Sequence, residues 1–217
     1  MTVVASISGG KDSIYALYLA LKEGGLTVDY LLFIENGSKA HRMNKWLLGL
    51  VSETLEIPLV TANKEINDVK RALKNLKANV LVSGVMTTPD HIEWYQEICN
   101  PIGVKLYTPL WKMNPLKALA HMDQLGFQIL IIEVNTSLGC SKNWLGEKLD
   151  NAMFEELKEL EDKQKINPIG EFGEYHTFVL DCPIYKKKIS IIESEKIWEN
   201  AKGYILVKDA CLQPKTS

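Results

Sequence analysis

Cysteine is scarce in this 217-residue chain, and Cys99, Cys140, Cys182 and Cys211 are scattered with no Cys-x-x-Cys spacing. That argues against a zinc ribbon, an iron–sulfur site or a disulfide framework. Long apolar runs are missing too, so no segment approaches the roughly 20 residues of a membrane-spanning helix. Neither sign of charge dominates: 25 Lys and Arg stand against 27 Asp and Glu, for a net charge of −2. A broad basic face that clamps a nucleic-acid backbone is therefore not expected, and only a local patch remains open. There is no internal repeat and no low-complexity segment. Met1 runs directly into a strand-like segment, without the basic region and apolar core of a leader peptide, so the expected location is the cytoplasm. What remains is an ordinary globular mixture, 46% hydrophobic and 24% charged. Its length suits one large α/β domain, or a main domain with a smaller second one.

The first half alternates short β-rich runs with amphipathic stretches. Strands are predicted at Thr2 to Ile7, Val28 to Ile34, Pro58 to Thr61, Val80 to Ser83 and Val104 to Tyr107. Between them, Ile14, Leu17 and Leu21 share a helical face that ends at Gly24-Gly25, and Met43, Trp46, Leu47, Leu50 and Val51 fall at helical spacing. Ile66, Val69, Leu73 and Leu76 mark a third helix, and Asp90 to Cys99 a fourth. Strands alternating with helices predict a parallel sheet covered on both faces, with ligands at the carboxyl ends of the strands. After Pro109 and Pro115 the pattern changes. A short helix (Leu116 to Leu125), an apolar run (Phe127 to Val134) and a long charged helix (Asn143 to Gln164) are predicted. Strands at Thr177 to Leu180, Lys188 to Ile192 and Tyr204 to Lys208 follow, then a frayed "QPKTS" tail. The expected division is 1–110 for a nucleotide-binding domain and 111–217 for a smaller α+β lobe.

The stretch "SISGGKDS", residues 6–13, follows the first strand directly. It fails the Walker A pattern, because Gly10-Lys11 is followed by Asp12 and the earlier glycine position holds Ala5. It is not Gly-x-Gly-x-x-Gly either. It matches Ser-Gly-Gly-x-Asp-Ser, and so resembles the PP-loop of the ATP pyrophosphatases. In physical terms Gly9 and Gly10 let the backbone turn N–H groups towards an anion. Ser8 and Ser13 add hydroxyls, Ser13 opens a helix whose positive end faces that anion, and Lys11 adds a point charge. Asp12 would repel bare phosphate and makes best sense as a ligand of Mg²⁺. The resemblance implies ATP as cofactor, an adenine nucleotide alpha hydrolase-like (HUP) fold, and cleavage at the α-phosphorus with release of pyrophosphate.

PP-loop proteins include tRNA thiolases, lysidine synthases and amide-forming synthetases. The lack of paired cysteines weighs against the first, and the acidic balance mildly against any tRNA modifier. Nothing N-terminal resembles a glutaminase domain, so an amide nitrogen would come from free ammonia. The stretch "GEFGEYHTFVLDCPIYKKKI", Gly170 to Ile189, resembles the signature of the diphthine–ammonia ligase family. Further marks of that family occur in order: His41 with Asn44, "LEIPL" at Leu55, "SGV" at Ser83, "YTPLW" at Tyr107, "LGF" at Leu125, "WLGEKLD" at Trp144 and "EKIWE" near the end. The resemblance covers nearly the whole chain. It implies ATP-dependent amidation of the carboxylate of diphthine on translation elongation factor 2. The acid is adenylated, and ammonia then displaces AMP. It further implies Ser8, Gly9, Gly10, Lys11, Asp12, Ser13, His41, Gly84 and Thr87 at the nucleotide. Lys11, Asp12, Glu171, Glu174 and His176 are the expected catalytic set, with Asp181 a further acceptor. Tyr175 or Trp111 could offer an aromatic face to the trimethylammonium group. A homodimer is a possible assembly.

Several polar positions depart from the family pattern. His176 stands where a second Glu is usual, Glu147 where Arg is common, and Ser141-Lys142 where an acidic pair is usual. The segment from Asp90 to Glu93 offers no Arg. Two further readings therefore stay open: an adenylating relative with another acceptor, and a nucleotide-binding protein without catalysis. Among single residues, His91 and His121 are expected at the surface or in helix packing. Cys140 is expected to be inert, Cys182 to pack, and Lys186 to Lys188 to form a solvated edge. Trp46, Trp94 and Trp198 are expected on helix faces in the core.

Overall fold

The computed structural model describes residues 1–35, 38–164 and 166–215. The first half forms β1 (Val3–Ser6), α1 (Lys11–Lys22), β2 (Tyr30–Glu35), α2 (Lys39–Met43) and α3 (Leu47–Leu55). It continues with β3 (Leu59–Asn63), α4 (Ile66–Asn75), β4 (Val80–Val82), α5 (Pro89–Cys99) and β5 (Lys105–Tyr107). The five strands pair in parallel in the order β3-β2-β1-β4-β5. The chain therefore reverses direction across the sheet between β1 and β4, where a ligand crevice forms in such folds. Both faces are buried, which is why the strands read as continuous apolar runs. Val3, Ala5, Val80 and Val82 feed one core, and Val4 and Leu81 feed the other, beneath α4 and α5.

The second half adds α6 (Pro115–Gln124), β6 (Gln128–Asn135), α7 (Asn151–Gln164), β7 (Tyr175–Asp181), β8 (Lys187–Glu199) and β9 (Lys202–Pro214). Its strands make an antiparallel sheet in the order β7-β6-β9-β8. The expected α/β class with a smaller α+β lobe is what the chain adopts. One core runs through both halves: Ile14 and Leu17 of α1 and Leu48 of α3 cluster with Ile131, Phe178 and Ile205 of the second sheet. Burying a side chain such as Phe178 contributes about 1.5–3 kcal/mol.

Four expectations are corrected here. The helix drawn through Met43 and Val51 is two helices. Asn44 turns inward at the break, donating from Nδ2 to the Ala40 and Ile205 carbonyls (2.9 and 2.8 Å) and accepting the Val207 N–H (2.9 Å). The long charged helix starts at Asn151, not Asn143. Residues 145–149 instead run beside β6, with Gly146 N–H on the Ile131 carbonyl and Ile131 N–H on the Glu147 carbonyl, both 2.9 Å. β8 extends to Glu199, so Trp198 lies in a strand. It is 39% exposed and Trp46 is 42% exposed, so neither is a core residue. The tail is ordered through Lys215, whose ammonium donates to the Cys182 carbonyl at 2.7 Å. Its last two residues lie outside the described ones.

Candidate active site at the carboxyl end of the parallel sheet

A cleft of about 500 Å³ opens beyond the ends of β1 and β4. Its walls come from the phosphate loop (Ser8, Asp12, Ser13), from Ser83, Gly84 and Val85 after β4, from Trp94 and Tyr95 on α5, and from Glu171 and His176 of the second lobe. Ser6, Ile7, Ile34, Ser38, His41, Asp90 and His91 complete the lining. Sequence reasoning missed Ser38, which no motif contains, and gave no role to Ser6 or Asp90. His91 is exposed, as expected, at the cleft rim, and Trp94, expected in the core, packs against the core under α5 while also lining the cleft. Gly84 is required there: a Cβ on it would lie 2.6 Å from the Asp12 carbonyl oxygen and 2.9 Å from the Ser13 nitrogen.

The loop after β1 is knitted to itself and to β7. Ser13 Oγ accepts the Ser8 N–H (3.1 Å) and donates to the Gly10 carbonyl (2.9 Å). Gly10 N–H reaches Ser8 Oγ at 3.3 Å. The serine hydroxyls thus shape the loop first. The helix begins at Lys11, with Gly10 as its cap, and not at Ser13. Lys11 N–H donates to Thr177 Oγ1 (3.1 Å) and Val179 N–H to the Gly9 carbonyl (2.9 Å). The Lys11 ammonium does not face the cleft. It is held by the Ile169 carbonyl (2.6 Å), Asp12 Oδ2 (3.0 Å) and the face of Tyr175 (5.0 Å). Asp12 Oδ1 is buried without a hydrogen-bond partner. Burial holds the Asp12 carboxyl above the usual carboxylate range, against the pull of Lys11 and with the charge of Glu171 pushing the same way.

The second-lobe carboxylates have separate tasks. Glu171 lines the cleft, and its oxygens accept the N–H groups of Met86 (2.8 Å) and Thr87 (2.7 Å) and the hydroxyls of Thr87 and Thr88. The Thr87 hydroxyl is therefore spent on Glu171 and is not a cleft wall. Glu174, placed by sequence among the catalytic residues, is not brought to the cleft. It is 4% exposed and accepts the N–H groups of Asn167 (3.1 Å) and Phe172 (2.9 Å), closing its own loop. Asp181 pairs with Lys215 at 2.8 Å, away from the cleft. Tyr175 is buried, with its hydroxyl on the Pro168 carbonyl (2.6 Å), so it has no face to offer a substrate cation. Trp111 lies outside the cleft, where it carries the ammonium of Lys112 over its ring. Glu147 is exposed and also outside it. His121 packs in a helix contact as expected, its Nδ1 2.6 Å from the Tyr15 hydroxyl. Burial pushes the Cys140 and Cys182 thiols up to about 12, which makes them inert.

His41 and His176 meet edge to face at 5.5 Å on the cleft wall. His41 Nε2 donates to the Thr177 carbonyl (3.0 Å) and Nδ1 meets Ser38 Oγ (3.2 Å), so both nitrogens are occupied by the protein. Burial, reinforced by His176, lowers His41 to about 4, and burial with nearby Lys11 and Lys202 lowers His176 to about 4. Both rings are neutral near pH 7. In the unfolded chain they take up protons nearer pH 6.5, so the unfolded state binds more protons between those values. This part of the stability is full above about pH 6.5 and is lost as pH falls towards about 4, at most about 3 kcal/mol for His41. The thermal midpoint should drop through that window, and His41→Gln should flatten the drop. An unchanged slope would show that the imidazole does not titrate on unfolding.

Among the described residues, no cluster of three His, Cys, Asp or Glu side chains is placed to hold a metal, and no helix is long and apolar enough to cross a membrane. Residues 1–106 match the family model described as diphthamide synthase N-terminal domain, and residues 114–212 match the diphthamide synthase C-terminal domain. Among curated proteins, the chain is 29% identical to a diphthine–ammonia ligase of Schizosaccharomyces pombe, over 99% of this chain and 40% of that protein. It is 28% identical to the proteins of the same name in Bos taurus and Homo sapiens, over 94% of this chain and 88% of each. The chain thus spans less than half of the fission-yeast relative and most of the mammalian ones. With both family domains matched in order along nearly its whole length, this chain belongs to the diphthamide synthase family.

Proposed function

We propose that the protein is an ATP-dependent ligase that joins ammonia to the carboxylate of diphthine on translation elongation factor 2, working in the cytoplasm. The observation that carries this reading is convergence. The phosphate loop with Asp12 and the second-lobe residues Glu171 and His176 line one cleft at the switch point of the parallel sheet. A carboxylate oxygen is too poor a leaving group for ammonia to displace. Transfer of AMP to that oxygen, with pyrophosphate leaving, makes it a good one, and attack by ammonia then gives the amide and AMP.

The chain's own residues divide the work. Ile34, Val85 and Trp94 give an apolar wall suited to a purine base. Gly9, Gly10 and the first turn of α1 shape the phosphate grip. Asp12, with its buried and unpartnered Oδ1, fits Mg²⁺ that takes its remaining ligands from phosphate and water. When bound, that ion would shield phosphate charge and polarise the α-phosphorus. Glu171 fixes the loop after β4. The neutral His176 ring on the cleft wall would give ammonia or ammonium a hydrogen-bond acceptor.

Incubation with ATP, nitrogen-labelled ammonium and elongation factor bearing diphthine should give AMP and pyrophosphate, with label retained in the diphthine peptide. Formation of ADP and phosphate would sink the pyrophosphatase reading. AMP release that needs a different carboxylate would point to another acceptor.

A further inference from the structure

The phosphate-loop lysine is a buried charge that the proposed reaction leaves unused. Lys11 is 2% exposed, and its ammonium is shared between two groups: Asp12 Oδ2 in its own loop and the carbonyl of Ile169 in the second lobe. Ile169 lies in the connection between α7 and β7. That connection is stiffened from within, by Glu174 accepting from Asn167 and Phe172 and by Asn167 Oδ1 accepting the Ile169 N–H at 3.1 Å. It behaves as a strap fastened to the first lobe at two places. One is the loop after β4, where neutral donors hold Glu171 and Asn167 Nδ2 donates to the Thr87 hydroxyl at 3.2 Å. The other is Lys11, held in place by the same carboxylate that fits the metal.

Two cations therefore compete for Asp12. A divalent ion at Asp12 withdraws the negative charge that compensates the buried ammonium, and a buried cation without its counter-charge is strongly disfavoured. Nucleotide phosphates offer the replacement charge. We propose that Lys11 is a positioning residue that couples nucleotide binding to the strap. Before nucleotide binds, the ammonium fastens Ile169. When metal and nucleotide engage Asp12, it turns to the phosphates, releases the Ile169 carbonyl and frees the strap beside Glu171 and His176 for the acceptor. Nucleotide then binds before the acceptor. This rests on the proposed nucleotide binding, and it adds a role for Lys11 and an order of events.

Hydrogen exchange of strap peptides in the full chain tests the coupling. The probe is Mg²⁺ with an ATP analogue whose α,β-bridge is methylene, and its binding is measured calorimetrically in the same samples. Wild-type strap amides should exchange about tenfold faster once the analogue is bound, the factor expected for loss of one charged hydrogen bond. In Lys11→Met the strap should exchange fast without nucleotide and gain nothing from it. If the analogue binds and wild-type strap exchange is unchanged or slower, the coupling is overturned while the functional reading stands. A Lys11→Met strap that stays slow and nucleotide-sensitive overturns it too. If the analogue does not bind, the functional reading falls and the coupling with it. Should Lys11→Met fail to fold, the two wild-type arms decide alone.

Discussion

Replacing Asp12 with asparagine should lower ATP-dependent amidation by about three orders of magnitude, equivalent to roughly 4 kcal/mol of transition-state stabilisation. The side chain keeps its shape and loses only its charge. Oδ1 has no protein partner, so no intramolecular hydrogen bond is lost there. Oδ2 accepts from the Lys11 ammonium, which loses its counter-charge in this variant. Burial already disfavours the charged carboxylate, and Glu171 repels it. Removing the charge relieves both costs but leaves the buried Lys11 ammonium without its counter-charge, so the thermal midpoint should also fall. Assaying well below the new midpoint separates the loss of activity from the loss of stability. AMP release and a melting curve on the same preparation check both, and turnover close to wild type would remove Asp12 from the proposed metal site.

Gly9→Ala should be the most damaging single methyl group in the loop. Gly9 has φ +80°, and an added Cβ would lie 2.4 Å from Phe178 Cε2 and 3.1 Å from Leu48 Cδ2. Phe178 and Leu48 are 2% and 1% exposed, so neither has room to retreat. Left-handed strain costs about 1–2 kcal/mol and overpacking about 1–3 kcal/mol, together about 2–5 kcal/mol. For a chain of this size the melting midpoint should fall by about 5–15 °C. Adding Phe178→Leu should restore the packing share and leave the backbone share, so partial recovery is the expected result. Full recovery would mean that the φ is not strained.

What the sequence made legible was local. The strand–loop–helix turn around residues 6–13, the β–α alternation and the class of the first sheet rest on neighbours a few residues apart, and they appear where the patterns put them. What it hid depends on partners far along the chain. Asn44 splits a helix because its amide binds Ile205, 161 residues away. Lys11 turns from the cleft because Ile169, 158 residues away, offers a carbonyl. Glu174 reads as an acceptor or base by motif, yet its carboxylate closes the loop that carries the motif. A periodicity or a signature names the residue type that a place requires. It does not say which of the nearby donors will claim it.

The contact between β7 and the phosphate loop has a consequence for synthesis. Gly9 and Lys11 leave the ribosome long before the groups that complete their hydrogen bonds, Val179 N–H and Thr177 Oγ1, the latter 166 residues further along the chain than Lys11. Phe178, which packs against Gly9, is equally late. The loop after β1 is therefore made well before it can mature. A nascent chain stalled before β7 would carry the whole motif and still lack the partners that set its shape.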